Sequence, residues 1–226
     1  MKKVLFIILA SIMSFGNAQA IDLSSFTIGV GANNSVFAAT GKEDNYNESG
    51  GGLVSTSEHG AFAESYASIF GEVNLTDTVS LGASFQGGFD TPTNVNERGA
   101  GDAAGKTDAT SSVSVSFEQY IQYYVKMNVP LGGTFVKLGY VTVDAETNET
   151  QASGNSYPDA ELEGVMVSIG YQHDATDGIG VRLELQGHSF DDVVVDNGKA
   201  TTANYNKITI SDMIGASATL SVVKTF

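Results

Sequence analysis

Hydrophobic and polar residues alternate along most of the chain with a period of two. In Thr78–Asp90 the apolar positions are Val79, Leu81, Ala83, Phe85, Gly87 and Phe89, and the residues between them are mostly polar. Ser112–Val129 alternates in the same way, with Phe117 and Ile121 on the apolar face and Glu118 and Lys126 on the polar face. Successive side chains of a strand point to opposite faces, so this period predicts β-strands rather than helices.

Six further segments repeat the alternation. They are Ser25–Thr40, Ala61–Leu75, Thr134–Asp144, Glu161–Gln172, Ile179–Phe190 and Lys207–Phe226. The pattern therefore predicts an all-β chain of eight strands.

The links between the predicted strands alternate in length. The short links are Thr76–Thr78, Pro130–Gly133 and His173–Gly178, and the long ones are Gly41–Gly60, Thr91–Ser111, Ala145–Ala160 and Asp191–Asn206. In an antiparallel up-and-down sheet, short and long links then lie on opposite rims. Compact soluble domains rarely carry several long structureless loops, whereas outer-membrane barrels combine tight periplasmic turns with long extracellular loops.

The distribution of charge favours closure in a membrane. The polar faces carry Glu64, Glu72, Glu118, Lys126, Arg182 and Glu184. Burying these charges in the core of a soluble barrel would be energetically unfavourable. An open sheet edge would leave backbone groups unpaired in lipid, which is also too costly. We therefore expect a closed antiparallel eight-stranded up-and-down transmembrane β-barrel, with its apolar face toward lipid, short periplasmic turns and four long extracellular loops.

The first residues have the layout of a secretory signal peptide. Lys2 and Lys3 precede the apolar run Val4–Met13, and Ala18-Gln19-Ala20 follows as a cleavage site. The run is too short to span a bilayer as a helix, which takes roughly 20 residues, and a buried N-terminal helix would not explain the flanking residues. We expect residues 1–20 to be a cleaved signal peptide and residues 21–226 to form the barrel domain.

Composition narrows the chemistry. The chain has no Cys, 26 Gly and 3 Pro, and its formal net charge is −15. The absence of Cys excludes disulfides, thiolate metal sites and a cysteine nucleophile. A surface with this much negative charge repels nucleic acid and anionic lipid. Phosphate-rich partners would bind through bridging divalent cations. No cofactor and no nucleic-acid partner is expected.

The chain ends in a strand whose apolar positions include Leu220 and Val222 and whose last residue is Phe226. With the leader, the strand count and the alternating links, this ending resembles the small eight-stranded outer-membrane barrels: the membrane domain of outer-membrane protein A, the X and W proteins, and the opacity-type adhesins. The resemblance implies the outer membrane of a Gram-negative bacterium, contact with lipid and lipopolysaccharide, and recognition of the last strand by the outer-membrane insertion machinery. Lys224 and the absence of Trp depart from the pattern, so the aromatic girdles would consist of Phe26, Phe89, Phe117, Tyr140 and Tyr171.

Charged residues recur at similar distances from the short turns. Glu72 and Lys126 each lie four residues before a turn, Arg182 and Lys137 four after one, and Glu184 two further along. Neighbouring strands would place them at about one depth, which predicts a lumenal ion-pair cluster that plugs the lower barrel. Solvation of each charge in a separate water pocket is the alternative. A barrel of this size is filled by side chains.

Catalytic and metal sites are weakly indicated. Small barrels that modify lipid A use Ser with His, but His188 and Ser189 are adjacent in a strand and face opposite ways. We expect no enzyme activity. Acidic loop residues such as Asp191, Asp192 and Asp196 suit Ca²⁺ in ligand type, but they match no calcium-loop spacing.

Two functional classes remain open from the sequence. In the first, the barrel is a structural anchor that supports envelope integrity and presents its loops to an extracellular ligand, since binding residues concentrate on loops held by a rigid scaffold. In the second, it is a small pore or conduit for ions or small solutes. A soluble secreted all-β protein is a third reading, which fractionation without detergent would distinguish.

Overall fold

In the computed structural model the chain is all-β. The structure describes residues 25–47, 52–91, 94–98, 109–150, 156–198 and 205–226. The strands are β1 (Phe26–Asn47), β2 (Gly52–Asn74), β3 (Val79–Gln86), β4 (Phe89–Asp90), β5 (Asn94–Arg98), β6 (Ala109–Asn128), β7 (Thr134–Thr150), β8 (Ala160–Asp174), β9 (Ile179–Phe190), β10 (Val193–Asp196) and β11 (Asn206–Thr225). The predicted signal peptide, residues 1–20, lies outside the described residues.

Eight of these strands form a closed antiparallel ring. The order is β1-β2-β3-β6-β7-β8-β9-β11, and β11 pairs with β1 from Thr27↔Thr225 to Asn45↔Asn206. β4 and β5 pair with β6 above β3, and β10 pairs with the outer part of β11. The predicted eight-stranded barrel is confirmed, and its first and last strands close it because an open edge would leave backbone groups unpaired in lipid. No helix long and apolar enough to cross a membrane occurs among the described residues.

An apolar band covers the outside of the barrel. Its side chains are exposed although they are hydrophobic, as with Val30 (59%), Val167 (61%) and Leu185 (58%). On β1 the band runs from Phe26 to Val36, close to the roughly 9–11 residues that a tilted strand needs to cross a bilayer. This is the reverse of a soluble barrel, and it is the expected lipid-facing surface.

Tight turns connect the strands at the periplasmic rim. Residues 75–78, 129–133 and 175–178 form them. Gly133 has φ +85° and Gly178 has φ +72°, and at each a Cβ atom would meet a carbonyl oxygen of a neighbouring strand at 2.4 and 2.3 Å. Only glycine fits these two positions without strain.

A β-bulge in β6 reverses the predicted orientation of some of its side chains relative to the lumen. Glu118 pairs with Asp144 but Ile121 pairs with Thr142, so β6 has one extra residue here, and Gln119 has φ 47°. One extra residue exchanges the two faces of a strand. Phe117 therefore lies inside the barrel at 6% exposure, whereas Glu118 is exposed on the outside. The predictions of a lumenal Glu118 and a girdle role for Phe117 were both wrong.

The outer half of the interior is aromatic rather than polar. Gly87 and Gly88 interrupt the third strand, after which Phe89 pairs with Phe117. Phe89 packs inward, so its predicted place in a girdle was also wrong. We call the interior group the aromatic cluster; it comprises Phe37, Phe62, Tyr66, Phe89, Phe117, Tyr120 and Phe190. Neighbouring rings approach to 5.1 Å between centroids, as in Phe89 and Phe117.

Several strands continue well beyond the apolar band. β2 has 23 residues, about twice the crossing length, so the first extracellular link is largely a paired extension of β1 and β2. The strands thus reach further into the predicted loop segments than the alternation alone indicates. The barrel carries a tall extracellular portion whose base is filled by the aromatic cluster.

Candidate functional site

The structure brings the five charged residues of the predicted lumenal cluster together. Glu72 lies on β2, Lys126 on β6, Lys137 on β7, and Arg182 and Glu184 on β9. All are buried, with exposures between 1% and 6%. We call these five residues the charged cluster. It spans the lumen below the aromatic cluster.

Glu72 is the hub of the charged cluster. Arg182 donates two parallel hydrogen bonds to it, Nη1 to Oε1 at 2.7 Å and Nη2 to Oε2 at 2.8 Å. Lys126 Nζ donates to Oε2 at 2.7 Å and the Tyr124 hydroxyl donates to Oε1 at 2.9 Å. Such bidentate, charge-assisted bonds are strong and fix the orientation of both partners. The carboxylate is fully saturated with donors.

Glu184 extends the charged cluster upward. Lys137 Nζ lies 2.7 Å from Glu184 Oε2 and 3.8 Å from Glu72 Oε1, so it joins the two carboxylates. Gln186 donates to Glu184 at 3.0 Å, and Gln122 donates to Gln186 at 3.1 Å. A continuous polar network therefore fills the lower lumen and ends beneath the aromatic cluster.

Three aromatic rings hold the cations. The Arg182 guanidinium lies between Phe70 and Phe135, at 4.8 and 5.0 Å from the ring centroids. Lys137 Nζ lies 4.2 Å from the centroid of Tyr124. The charged cluster contains three cations and two carboxylates, and the negative faces of these rings help to accommodate the additional positive charge.

Each of these rings lies over a glycine of a neighbouring strand. Gly29 pairs with Phe70, Gly82 with Tyr124 and Gly170 with Phe135. A Cβ on these glycines would come within 2.2, 2.4 and 2.2 Å of the ring atoms. The same relation holds above, where Gly215 pairs with Phe37. Alternation along single strands does not reveal these pairs. The signal in the sequence is a glycine on the lumenal face of one strand at the depth of an aromatic residue on the next strand.

A polar cup opens below the charged cluster toward the periplasm. Its volume is about 410 Å³, and hydroxyl and amide side chains such as Thr27, Asn128 and Gln172 line it. Lys126 lines it as well. Arg182 donates to Gln172 Oε1 at 2.8 Å from above, so the cup ends at the charged cluster.

His188 and Ser189 do not form a catalytic pair in the structure. His188 is buried, with its Nε2 3.1 Å from Gln122 Nε2, and Ser189 is exposed on the other face of β9. Among the described residues, no group of three or more His, Asp or Glu side chains is placed to hold a metal ion.

The last strand ends in an ordered contact. The Phe226 ring stacks on Phe26 with centroids 4.5 Å apart and planes at 13°, and the Phe226 N–H donates to the Phe26 carbonyl at 2.9 Å. Leu220 and Val222 are exposed on the lipid-facing wall at 57% and 55%. These residues therefore lie where a partner that contacts the outer wall can reach them.

Comparisons with known proteins bear on the fold. No protein-family model matches the chain, and no curated protein matches it. The outer-membrane protein OprG of Pseudomonas aeruginosa matches in structure with a TM-score of 0.54 at 11% identity, over 89% of this chain and 95% of that one. The outer-membrane protease OmpT of Escherichia coli matches with a TM-score of 0.46 at 11% identity, over 94% and 100%. The attachment invasion locus protein Ail of Yersinia pestis matches with a TM-score of 0.36 at 7% identity, over 86% and 98%.

At these identities a structural match speaks for the fold alone, and of the three only OprG exceeds a TM-score of 0.5. That match agrees with the closed ring, the apolar outer band and the short turns of this chain. The chain therefore has the fold of the small eight-stranded outer-membrane β-barrels.

Proposed function

We propose that this protein is a non-catalytic, closed anchor that holds a tall extracellular portion for recognition or adhesion and supports envelope integrity. The observation that carries the proposal is the filled interior. A saturated ion-pair network occupies the lower lumen, and the aromatic cluster occupies the outer half. Most side chains in both layers are less than a tenth exposed, so both layers are largely shielded from water.

The extracellular portion would supply the binding surface. β1 and β2 extend as a paired hairpin beyond the apolar band, with register continuing to Asn47↔Gly52. Exposed acidic residues also occur outside this hairpin, among them Glu118, Glu161 and Asp191. A rigid, negatively charged platform of this kind suits an extracellular partner with a basic surface. Lipopolysaccharide phosphates would bind to this surface through bridging divalent cations.

Export and assembly complete the proposal. Residues 1–20 would be removed as a signal peptide, and the strand ending at Phe226 would be recognised by the outer-membrane insertion machinery. Leu220, Val222 and Phe226 are exposed, which supports the proposal that a binding partner recognises the outer face of the last strand.

A small conduit is the second candidate function, and the polar cup favours it. A solute could enter the cup from the periplasm and proceed only if the charged cluster rearranged. The contacts of Glu72 with Arg182 and Lys126 argue against free passage, because breaking a buried ion pair typically costs about 3–5 kcal/mol.

Conductance of the refolded protein in a planar bilayer separates the two functions. A heat-shifted gel band shows that each sample is folded. The anchor predicts silence for the wild type. Reproducible steps from folded protein would contradict it and favour the conduit. Glu118→Gln, on the outer surface, is the matched control for Glu72→Gln in the charged cluster: if steps occur, only Glu72→Gln should change them.

A further inference from the structure

The lipid-facing wall has a groove of about 840 Å³ near the periplasmic rim. Its floor consists of Gly71 on β2 and Ala83 on β3, which are register partners. Ile28 on β1 and Tyr123 on β6 flank them in the same row of the sheet. Because the floor residues have little or no side chain while Ile28 and Tyr123 project outward, the row forms a depression in the apolar band.

The groove is apolar along its upper wall as well. Val30, Ile69 and Phe85 form the next row and are exposed by 59%, 59% and 47%. A concave surface lined in this way excludes polar partners and fits a flexible hydrocarbon chain.

One end of the groove is cationic. Lys224 lies in the same row, as the register partner of Ile28. Its ammonium donates to the carbonyl of Asp177 in the β8–β9 turn and lies 5.5 Å from the centroid of Phe226. Among the described residues, no other Lys or Arg side chain lies on the outer wall within the apolar band. The ammonium is therefore fixed beside the turn, at the level where the headgroups of the periplasmic leaflet lie.

We propose that this groove binds one anionic glycerophospholipid of the periplasmic leaflet. An acyl chain lies over Gly71 and Ala83, and the headgroup phosphate pairs with Lys224. The depth of Lys224 selects the periplasmic leaflet, so lipopolysaccharide, which the long-loop side faces, is not the occupant. The protein as a whole is strongly negative, with a formal net charge of −15. Lys224 therefore gives an anionic headgroup a local cationic partner on a protein that otherwise repels it.

A second copy of the chain is a poorer fit to the groove. A protein partner would need a convex ridge to fill a depression floored by Gly71 and Ala83. It would also bring its own strongly negative charge. Native mass spectrometry would detect a dimer if one formed.

Native mass spectrometry of the full-length barrel tests the proposal. The protein is refolded into nanodiscs of equal parts phosphatidylglycerol and phosphatidylcholine, transferred to a mild detergent, and weighed with its retained lipids. The wild type is expected to retain one phospholipid, with phosphatidylglycerol preferred. Lys224→Gln should reduce that preference by about fivefold, the typical contribution of one lysine at a membrane surface.

Filling the groove should abolish retention. Gly71→Leu places a side chain on the floor, where a Cβ meets nothing within 4 Å, so the barrel tolerates it. Gly187→Leu is the matched control: Gly187 is on the outer wall of β9, where a Cβ meets only Val167 at 3.9 Å. Heat-shifted gel bands confirm that both variants are folded.

Loss of the retained lipid in Gly71→Leu but not in Gly187→Leu supports the site. Equal retention in both variants, absence of a retained phospholipid in the wild type, or an unchanged phosphatidylglycerol preference in Lys224→Gln would each overturn it. A dimer that is present in the wild type and lost in Gly71→Leu would assign the groove to a second copy instead.

Discussion

Arg182 and Glu72 meet across the interior of the barrel through two parallel hydrogen bonds of 2.7 and 2.8 Å. They belong to β9 and β2, which are not neighbours in the ring. The pair therefore ties together strands that no backbone hydrogen bond joins. Lys126 and Lys137 connect two further strands to the same carboxylate.

Glu72→Gln should strongly destabilise the barrel, because it leaves three cations with the single carboxylate of Glu184. The expected loss in the free energy of unfolding is about 3–5 kcal/mol. Lys126→Met should cost less, since it leaves two cations and two carboxylates and retains the Arg182–Glu72 pair. Urea unfolding in lipid vesicles, followed by circular dichroism and heat-shifted gel bands, measures both changes.

Glu118→Gln is the control for these variants, because Glu118 is exposed on the outer wall. A surface change of this kind is expected to alter stability by about 0.5 kcal/mol or less. Equal small losses in the free energy of unfolding for Glu72→Gln, Lys126→Met and Glu118→Gln would mean that the charged cluster does not stabilise the barrel.

Counting from the short turns was informative at the bottom of the barrel because pairing there is regular. The turns set the register, and each strand then alternates without interruption through the level of Glu72, Lys126 and Arg182. The number of residues between a side chain and the turn therefore gives its depth in the barrel. Whether that number is even or odd gives the face of the strand on which the side chain lies. Most of the architecture and the proximity of these charges follow from that regularity.

The outer half was not predictable in the same way. The bulge at Gln119 adds one residue to β6, and no local pattern marks it. Phe117 and Ile121 are four residues apart, an even spacing that in a regular strand places both on the same face. The inward position of Phe117 depends on the partners that the closed ring supplies, including Phe62 at 6.0 Å and Phe89 at 5.1 Å. Packing across the lumen, rather than alternation along the strand, therefore sets the facing there.

The glycine–aromatic pairs lead to a second prediction. Gly170→Ala should destabilise the barrel by about 1–3 kcal/mol, since its Cβ would lie 2.2 Å from the Phe135 ring and force that ring to move. Gly71→Ala is the control, because nothing lies within 4 Å of a Cβ there. Urea midpoints in the same vesicles compare them. Adding Phe135→Leu to Gly170→Ala should recover part of the loss; no difference between Gly170→Ala and Gly71→Ala would refute the steric account.

The proposed recognition of Phe226 by the insertion machinery can be tested separately from the contribution of Phe226 to stability. Phe226→Ala and Phe26→Ala each remove the same stacked pair of rings. If the terminal residue is read during assembly, Phe226→Ala should lower the amount of folded protein in the outer membrane several-fold more than Phe26→Ala does. Membrane fractionation with heat-shifted gel bands measures this. Equal losses would show that Phe226 acts only through the contact with Phe26.

Asp44 provides a test of the extracellular hairpin, well above the apolar band. The Ser55 hydroxyl, which donates to its carboxylate, and the ammonium of Lys42 hold the pKa of Asp44 at about 2, and Lys207 lies 3.4 Å away on the other side. Because the pKa is lower in the folded hairpin than in the unfolded chain, the carboxylate's stabilising contribution is complete above about pH 4. It is lost as the pH falls through 2.

Ser55→Ala should raise the pKa of Asp44 toward its ordinary value, because it removes the hydroxyl that has the largest effect in lowering it. Carbon-13 NMR titration of the labelled Asp44 carboxyl in detergent micelles measures the midpoint. Ser57→Ala, at an exposed position of the same strand, is the control and should leave the midpoint unchanged. If Ser55→Ala also left it unchanged, the β1–β2 extension would not hold Ser55 against Asp44 in solution. The tall, paired hairpin on which extracellular recognition is proposed to depend would then lose its support, even with the barrel below it intact.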